Sequence, residues 1–189
     1  MKKIVVFASG SGTNAENIIK YFKGGAVGKV VGVFTNNPKA KVIDKAKNNA
    51  VPVVVFTKSE LYESDLAQKI NAIQPDLIVL AGFLLKFPDA IIADYPDKII
   101  NIHPALLPKY GGKGMYGMHV HRAIVENKEK ETGITIHYVN ENYDEGATVF
   151  QKQVTVLGTD TPEVVAEKIH ELEQKYFPVV IEDLLKAKS

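Results

Sequence analysis

Ile4-Val-Val-Phe-Ala8, then Ser9-Gly-Ser-Gly12, then Asn14-Ala-Glu-Asn-Ile-Ile-Lys-Tyr-Phe22 form the stretch that decides the fold. An uninterrupted apolar run rich in β-branched residues reads as a strand buried on both faces. A loop of small residues follows it, and then a segment with helical spacing that turns Ile18, Ile19 and Phe22 inward. The same unit recurs outward along the chain. Strands are expected at Lys29–Phe34, Val51–Val55, Leu77–Ala81 and Lys98–Ile102, with helices at Ala40–Asn49, Ser59–Ile73 and Asp89–Tyr95 between them. Buried strands alternating with helices predict an α/β protein, a mostly parallel twisted sheet with helices on both faces. From Gly133 the pattern changes. Ile134–Val139 and Thr148–Val156 alternate apolar and polar residues, which predicts antiparallel strands in the C-terminal third. Thr161 suits an N-cap and Pro162 the first position of a long last helix, whose apolar stripe runs to Leu185.

The bulk numbers narrow the class of function. A chain of 189 residues with 46% apolar side chains is read as one domain, 1–189, with a sizeable core. Its 23 basic and 22 acidic residues give a net charge of +1, so no nucleic-acid partner is expected. Met1-Lys-Lys3 precedes an apolar run too short for a signal sequence, and Leu77–Leu85 is about half of what a bilayer requires. No membrane partner is expected. The sequence has no cysteine, which fits a cytoplasmic setting and removes thiolate chemistry.

Two motifs carry chemistry. Ser9-Gly-Ser-Gly-Thr-Asn14 stands between the first strand and the first helix, where glycines admit an anion to the helix N-terminus. The string also fits G-x-G-x-x-A, but Thr35, Asn36 and Asn37 stand where a dinucleotide fold needs a ribose-binding acid. It is therefore read as a site for one phosphate group; the plain alternative is a tight turn that binds nothing. Asn101-Ile-His-Pro104 ends the fifth strand. Residues i and i+2 point to one side, so Asn101 and His103 face a common reactant. An amide there suits a developing oxyanion, and an imidazole suits proton transfer.

Asn101-Ile-His-Pro-Ala-Leu-Leu-Pro108, with the glycine-rich loop, Leu80-Ala-Gly-Phe83 and Tyr143-Asp-Glu-Gly146, closely resembles the folate-dependent formyltransferases. Within them the chain is most similar to the phosphoribosylglycinamide formyltransferases of purine synthesis, over nearly its whole length and with the motifs in the same order. The resemblance implies a Rossmann-like formyltransferase fold. It implies an enzyme that moves a formyl group from 10-formyltetrahydrofolate, a co-substrate, to the amine of glycinamide ribonucleotide through a tetrahedral intermediate. Carried over residue by residue, it makes Asn101, His103 and Asp144 catalytic. It gives Gly12, Thr13, Asn14 and Glu173 to the ribonucleotide, in the N-terminal half apart from Glu173. It gives Leu84, Leu85, Lys86 and Phe87, with Asn101 and the loop Asn140, Glu141, Asn142, Tyr143 and Asp144, to the folate. It also implies a cis peptide before Pro108. A carboxylate at 144 beside the imidazole would favour the charged ring.

Some residues depart from the pattern. Ala105 stands where many relatives have Ser, and the region around Ser59 lacks an Arg used near the folate tail. Gly111-Gly-Lys-Gly-Met-Tyr-Gly117 is expected to be a mobile loop at the mouth of the site. His119-Val-His121 has no third ligand, so no metal is expected, and His119 is expected to help line the cleft. His137 and His170 are read as structural, and Lys109 as rim or ligand. A monomer or homodimer acting on small molecules fits these features. The alternatives are a tRNA formyltransferase, disfavoured by the neutral charge, and a formyltetrahydrofolate hydrolase, which carries a regulatory domain ahead of the first strand. A phosphate sensor and a nicotinamide oxidoreductase are the alternatives from other classes.

Overall fold

The computed structural model describes residues 1–187 of the chain. Its strands are β1 (Lys2–Phe7), β2 (Gly28–Thr35), β3 (Val53–Val55), β4 (Leu77–Leu80), β5 (Ile99–His103), β6 (Glu131–Tyr138) and β7 (Thr148–Thr155). Its helices are α1 (Thr13–Tyr21), α2 (Val42–Asn48), α3 (Lys58–Tyr62), α4 (Ser64–Ile73), α5 (Asp89–Asp94), α6 (Met118–Glu126) and α7 (Pro162–Ala187). The strands form one sheet in the order β3-β2-β1-β4-β5-β6-β7. β1 to β5 pair in parallel, whereas β5–β6 and β6–β7 are antiparallel. This is the architecture expected from the sequence.

Side-chain alternation explains why both faces need covering. Ile4 and Val6 of β1, with Leu77 and Val79 of β4, join a core that includes Ile18 of α1, Val42 of α2, Val120 of α6 and Phe177 of α7. Val5, Phe7, Ile78 and Leu80 point the other way, to Leu61 of α3, Ile70 of α4 and Ile91 of α5. Phe7 is fully buried and meets four rings: Phe34 at 4.9 Å between centroids, Phe87 at 5.1 Å, Phe83 at 5.4 Å and Phe56 at 5.9 Å. Emptying such a position typically costs about 3–5 kcal/mol. That cluster is the floor on which the loop after β4 rests.

Two elements differ from the sequence expectation. The helix expected over Ser59–Ile73 is two helices, because Glu63 is extended (φ −96°, ψ 170°) between them. α3 starts at a capping box in which Thr57 and Glu60 satisfy each other's backbone N–H groups. α6 was not signalled by the periodicity, since a glycine-rich run precedes it and its buried residues are only Val120, His121 and Ile124. α7 begins as expected: Val165 N–H donates to the Thr161 carbonyl at 3.0 Å. The peptide before Pro108 is cis.

Candidate active site

The strand order reverses at β1, which has β2 on one side and β4 on the other. In open α/β sheets the crevice at such a point, beyond the carboxyl ends of the strands, is where ligands bind. Here Ser9 stitches its two walls together. Its N–H donates to Gly82 O at 3.0 Å, and its hydroxyl donates to Asn36 Oδ1 at 2.7 Å while accepting from Leu84 N–H at 3.0 Å. Asn36 is therefore spent on the loop, in the position where a dinucleotide fold would carry its ribose acid. A cleft of about 770 Å³ opens there, lined from the loops after β1, β4 and β5, from α6 and from α7.

His103 and Asn101 enter the cleft from the end of β5. The His103 Nε2 lies 2.7 Å from Tyr110 O. A carbonyl oxygen only accepts, so Nε2 carries the hydrogen and Nδ1 of the neutral ring presents its lone pair. Nδ1 is 3.5 Å from Asp144 Oδ2, a carboxylate that also accepts from Gly112 N–H at 2.9 Å. Folding thus spans the 41 residues between His103 and Asp144 (144 − 103) and brings the two side chains together. Asp144 itself adopts φ +56°, a left-handed conformation in which Asp is enriched.

A fourth group completes the constellation. Antiparallel pairing of β5 with β6 sets His137 opposite Asn101. His137 Nδ1 donates to the Tyr138 carbonyl at 2.8 Å, and Nε2 lies 3.2 Å from Asn101 Nδ2 and 3.5 Å from Asp144 Oδ1. In the neutral ring Nε2 accepts from the amide; only a protonated ring could donate to the carboxylate. His137 therefore orients the Asn101 amide, leaving its second N–H for the cleft. From the sequence alone, His137 reads as structural. The available signal was Thr135 and His137 on one face of an otherwise apolar strand, but which partner they meet depends on register.

Burial governs the charges. It is the strongest influence on His103 and lowers its pKa. The Asp144 carboxylate and the Tyr110 carbonyl pull upward, His137 adds to the lowering, and the ring ends below the ordinary imidazole value. The sequence suggested the opposite balance, with the carboxylate prevailing; desolvation of a ring only 4% exposed outweighs it. For Asp144 burial is again the largest influence and raises the pKa. A bond from His137 and the charge on His103, each present when its ring is protonated, together with the Gly112 N–H outweigh it and hold the carboxyl below its usual range.

The residues expected to meet a ribonucleotide share one wall. Gly12 caps α1 at φ +70°, and a Cβ there would stand 2.5 Å from Val42 Cβ, so the turn admits only glycine. Gly12, Thr13, Asn14 and Glu173 all line the cleft. Asn14 Nδ2 donates to Glu173 Oε2 at 3.0 Å, and Gln174 Nε2 donates to Asn14 Oδ1 at 2.9 Å, which docks α7 on the end of the glycine-rich loop. Burial raises the Glu173 pKa; its bond to Asn14 and the nearby His170 only partly offset this. His170 lines the same wall, 3.8 Å from Glu173.

Of the residues expected to meet folate, Leu84, Leu85, Lys86, Phe87, Asn140, Asn142, Tyr143 and Asp144 line the cleft. Glu141 is exposed and is not part of the lining. His121 lines the cleft in place of His119, which is exposed and stacks edge-on against Tyr116. The His121 Nδ1 is buried without a hydrogen-bond partner among the described residues. Lys109 pairs with Glu129 at 3.3 Å, away from the lining. The glycine-rich segment from Gly112 to Gly117 does form part of the cleft wall.

A mostly parallel sheet with an imidazole, a carboxylate and an amide converging where its strands end defines an α/β protein with a candidate acid–base site. The family model described as formyl transferase matches residues 2–181, and the chain belongs to that family. Phosphoribosylglycinamide formyltransferase of Bacillus subtilis is 35% identical over 191 residues, covering 98% of this chain and 95% of that protein. The chloroplastic phosphoribosylglycinamide formyltransferase of Arabidopsis thaliana is 40% identical over 187 residues, covering 95% of this chain. The chain spans only 64% of that plant protein's length and 61% of its Vigna unguiculata counterpart's. The crystal structure of phosphoribosylglycinamide formyltransferase from Bacillus halodurans matches with a TM-score of 0.89 at 34% identity, covering 100% of this chain and 97% of that one.

Proposed function

We propose that the chain transfers a formyl group from 10-formyltetrahydrofolate to the amine of glycinamide ribonucleotide, a step of de novo purine biosynthesis. The observation that carries this reading is the convergence of His103, Asp144 and Asn101 in one cleft with the phosphate loop. In support, the relatives that match nearly end to end are named for that activity. The ribonucleotide phosphate sits at the N-terminus of α1, held by Gly12, Thr13 and Asn14 with Glu173 beside them, mostly in the N-terminal half of the chain. The flat pterin suits a wall of Leu85, Phe87 and Val139, with Asn140, Asn142 and Tyr143 closing it. No metal is required, because an amine attacking a formyl carbon needs only a charge stabiliser and a proton carrier.

The substrates supply a neutral amine and an activated formyl group; attack forms the new C–N bond and puts negative charge on oxygen. Asn101 then donates its free N–H to that oxygen. His103 Nδ1, with Nε2 tied to Tyr110, takes the proton from the attacking nitrogen, and Asp144 stabilises the imidazolium so formed. The ring returns the proton to the departing folate nitrogen as the old C–N bond breaks. Losing an oxyanion donor typically costs about 10²–10³ in turnover, and losing an acid–base group about 10²–10⁴.

A monomer or homodimer acting on these two small molecules is the proposed form. The cytoplasm is the proposed setting, in keeping with a chain that lacks cysteine. No helix among the described residues is long and apolar enough to cross a membrane. The test is formyl transfer by purified protein, with and without the ribonucleotide. Deformylation that needs the ribonucleotide and falls at least a hundredfold in His103→Ala supports the reading. Deformylation to formate without acceptor, or a His103→Ala variant within a few-fold of wild type, overturns it.

A further inference from the structure

The short segment 110–112 grips both members of the acid–base pair. Its first carbonyl, Tyr110 O, accepts from His103 Nε2 at 2.7 Å, and two residues later Gly112 N–H donates to Asp144 Oδ2 at 2.9 Å. Tyr110 takes up φ +57°, an unusual conformation for a residue with a side chain, so something must hold it there. The hold comes from outside the cleft. The Tyr110 hydroxyl donates to Glu129 Oε1 at 2.9 Å, and Lys109 Nζ reaches the same oxygen at 3.3 Å. Glu129 is built into the turn after α6: its N–H donates to Ile124 O at 3.1 Å, and Lys128 before it is at φ +53°. Neither Tyr110 nor Glu129 lines the cleft.

We propose that Glu129 and Tyr110 form a positioning strut that fixes the tautomer of His103, so that Nδ1 is the nitrogen offered to the substrates. The strut runs from the Glu129 carboxylate to the Tyr110 hydroxyl, through the tyrosine to its own carbonyl, and on to His103 Nε2. Without that bond the Asp144 carboxylate, 3.5 Å from Nδ1, would favour the tautomer with its hydrogen there, and such a ring could not take the proton from the attacking amine. This role rests on reading His103 as the proton carrier. Neither residue touches substrate; both act through the imidazole.

The experiment compares Tyr110→Phe, Glu129→Ala and Glu129→Gln with wild type and with His103→Ala. Loss of one charge-assisted bond predicts a fall in kcat of roughly five- to fiftyfold in Tyr110→Phe and Glu129→Ala. KM for both substrates should stay within about twofold, and Glu129→Gln, which keeps an acceptor, should recover most of the loss. The two damaging changes should not add when combined, since they break one link. The ¹⁵N shifts of the His103 ring, read in labelled protein, should show a hydrogen on Nε2 alone in wild type and a mixture of tautomers in Tyr110→Phe. A structural weakening alone would lower the melting temperature without moving those shifts. If His103→Ala abolishes transfer while Tyr110→Phe and Glu129→Ala keep wild-type kcat and ring shifts, the strut is wrong and the site stands. If His103→Ala is itself active, the reading of the site fails first.

Discussion

His137→Asn isolates the group that the sequence did not reveal as part of the site. An asparagine amide nitrogen stands about where the imidazole Nδ1 stands, so the bond to the Tyr138 carbonyl is kept. What disappears is Nε2, the acceptor 3.2 Å from the Asn101 amide. His137 is only 2% exposed, so bulk water does not readily replace it. Leaving such a donor unpaired costs about 1–3 kcal/mol, and at about 1.4 kcal/mol per decade that is roughly a five- to 150-fold loss. The ceiling is the loss expected for Asn101→Ala, about 10²–10³, because His137 acts on turnover chiefly through that amide, its closest partner in the cleft. Steady-state formyl transfer at saturating substrates measures it, with KM values checked for both. In the Asn101→Ala background the same change should matter less than about threefold, as the two share one function. An undiminished second loss in the double variant, or a single variant within twofold of wild type, would refute the assigned role.

Two other predictions concern charge. Burial raises the Glu173 pKa above its ordinary 4.5, so the stability this residue lends is complete below pH 4.5 and is lost as pH rises through its folded value. Glu173→Gln should therefore melt higher than wild type at pH 7 to 8, with the gap closing on acidification, yet bind the ribonucleotide more weakly. Asn14→Ala should move stability the other way by about 1–3 kcal/mol, since it strips the buried carboxyl of its amide partner; equal melting temperatures for the two variants would contradict this. His103 should titrate below 6.5 in an NMR pH series, and Asp144→Asn, which removes an upward pull, should lower it further. An upward move in that variant would contradict the assigned pull of Asp144, and a wild-type ring titrating above 6.5 would show that burial is not the governing influence.

How far the sequence discloses this molecule depends on the range of the interaction concerned. The β1–loop–α1 unit is local, because strand, glycine turn and helix each follow from neighbours in the chain, and it appears where the residues place it. Asn101 and His103 were legible for the same reason: two residues apart on a strand is a short-range geometry. The break at Glu63 was not visible, because Leu61, Leu66 and Ile70 keep a helical spacing across it and all three are buried. The capping box of Thr57 and Glu60 starts the first helix, and the extended Glu63 ends it and lets the next begin. α6 was hidden by composition, since glycines suppress any helical signal ahead of it.

The site itself shows where local reasoning stops. Whether His137 meets Asn101 is decided by the register of β6 on β5, and a slip of one residue would turn His137 to the other face. Whether Asp144 raises or lowers the charge state of the cleft depends on how much water the fold removes, a property of all the elements around it. That competition reverses the naive expectation for His103. A carboxylate 3.5 Å away promotes protonation, yet a ring buried to 4% exposure loses more solvation than the partner returns. The outcome suits the proposed chemistry better than a permanently charged ring would. A neutral imidazole can accept the amine's proton, and the carboxylate then holds the imidazolium only for the interval before the proton passes to the leaving nitrogen. Desolvation sets the resting state and the ion pair sets the transient one, so the same two side chains serve both halves of the transfer.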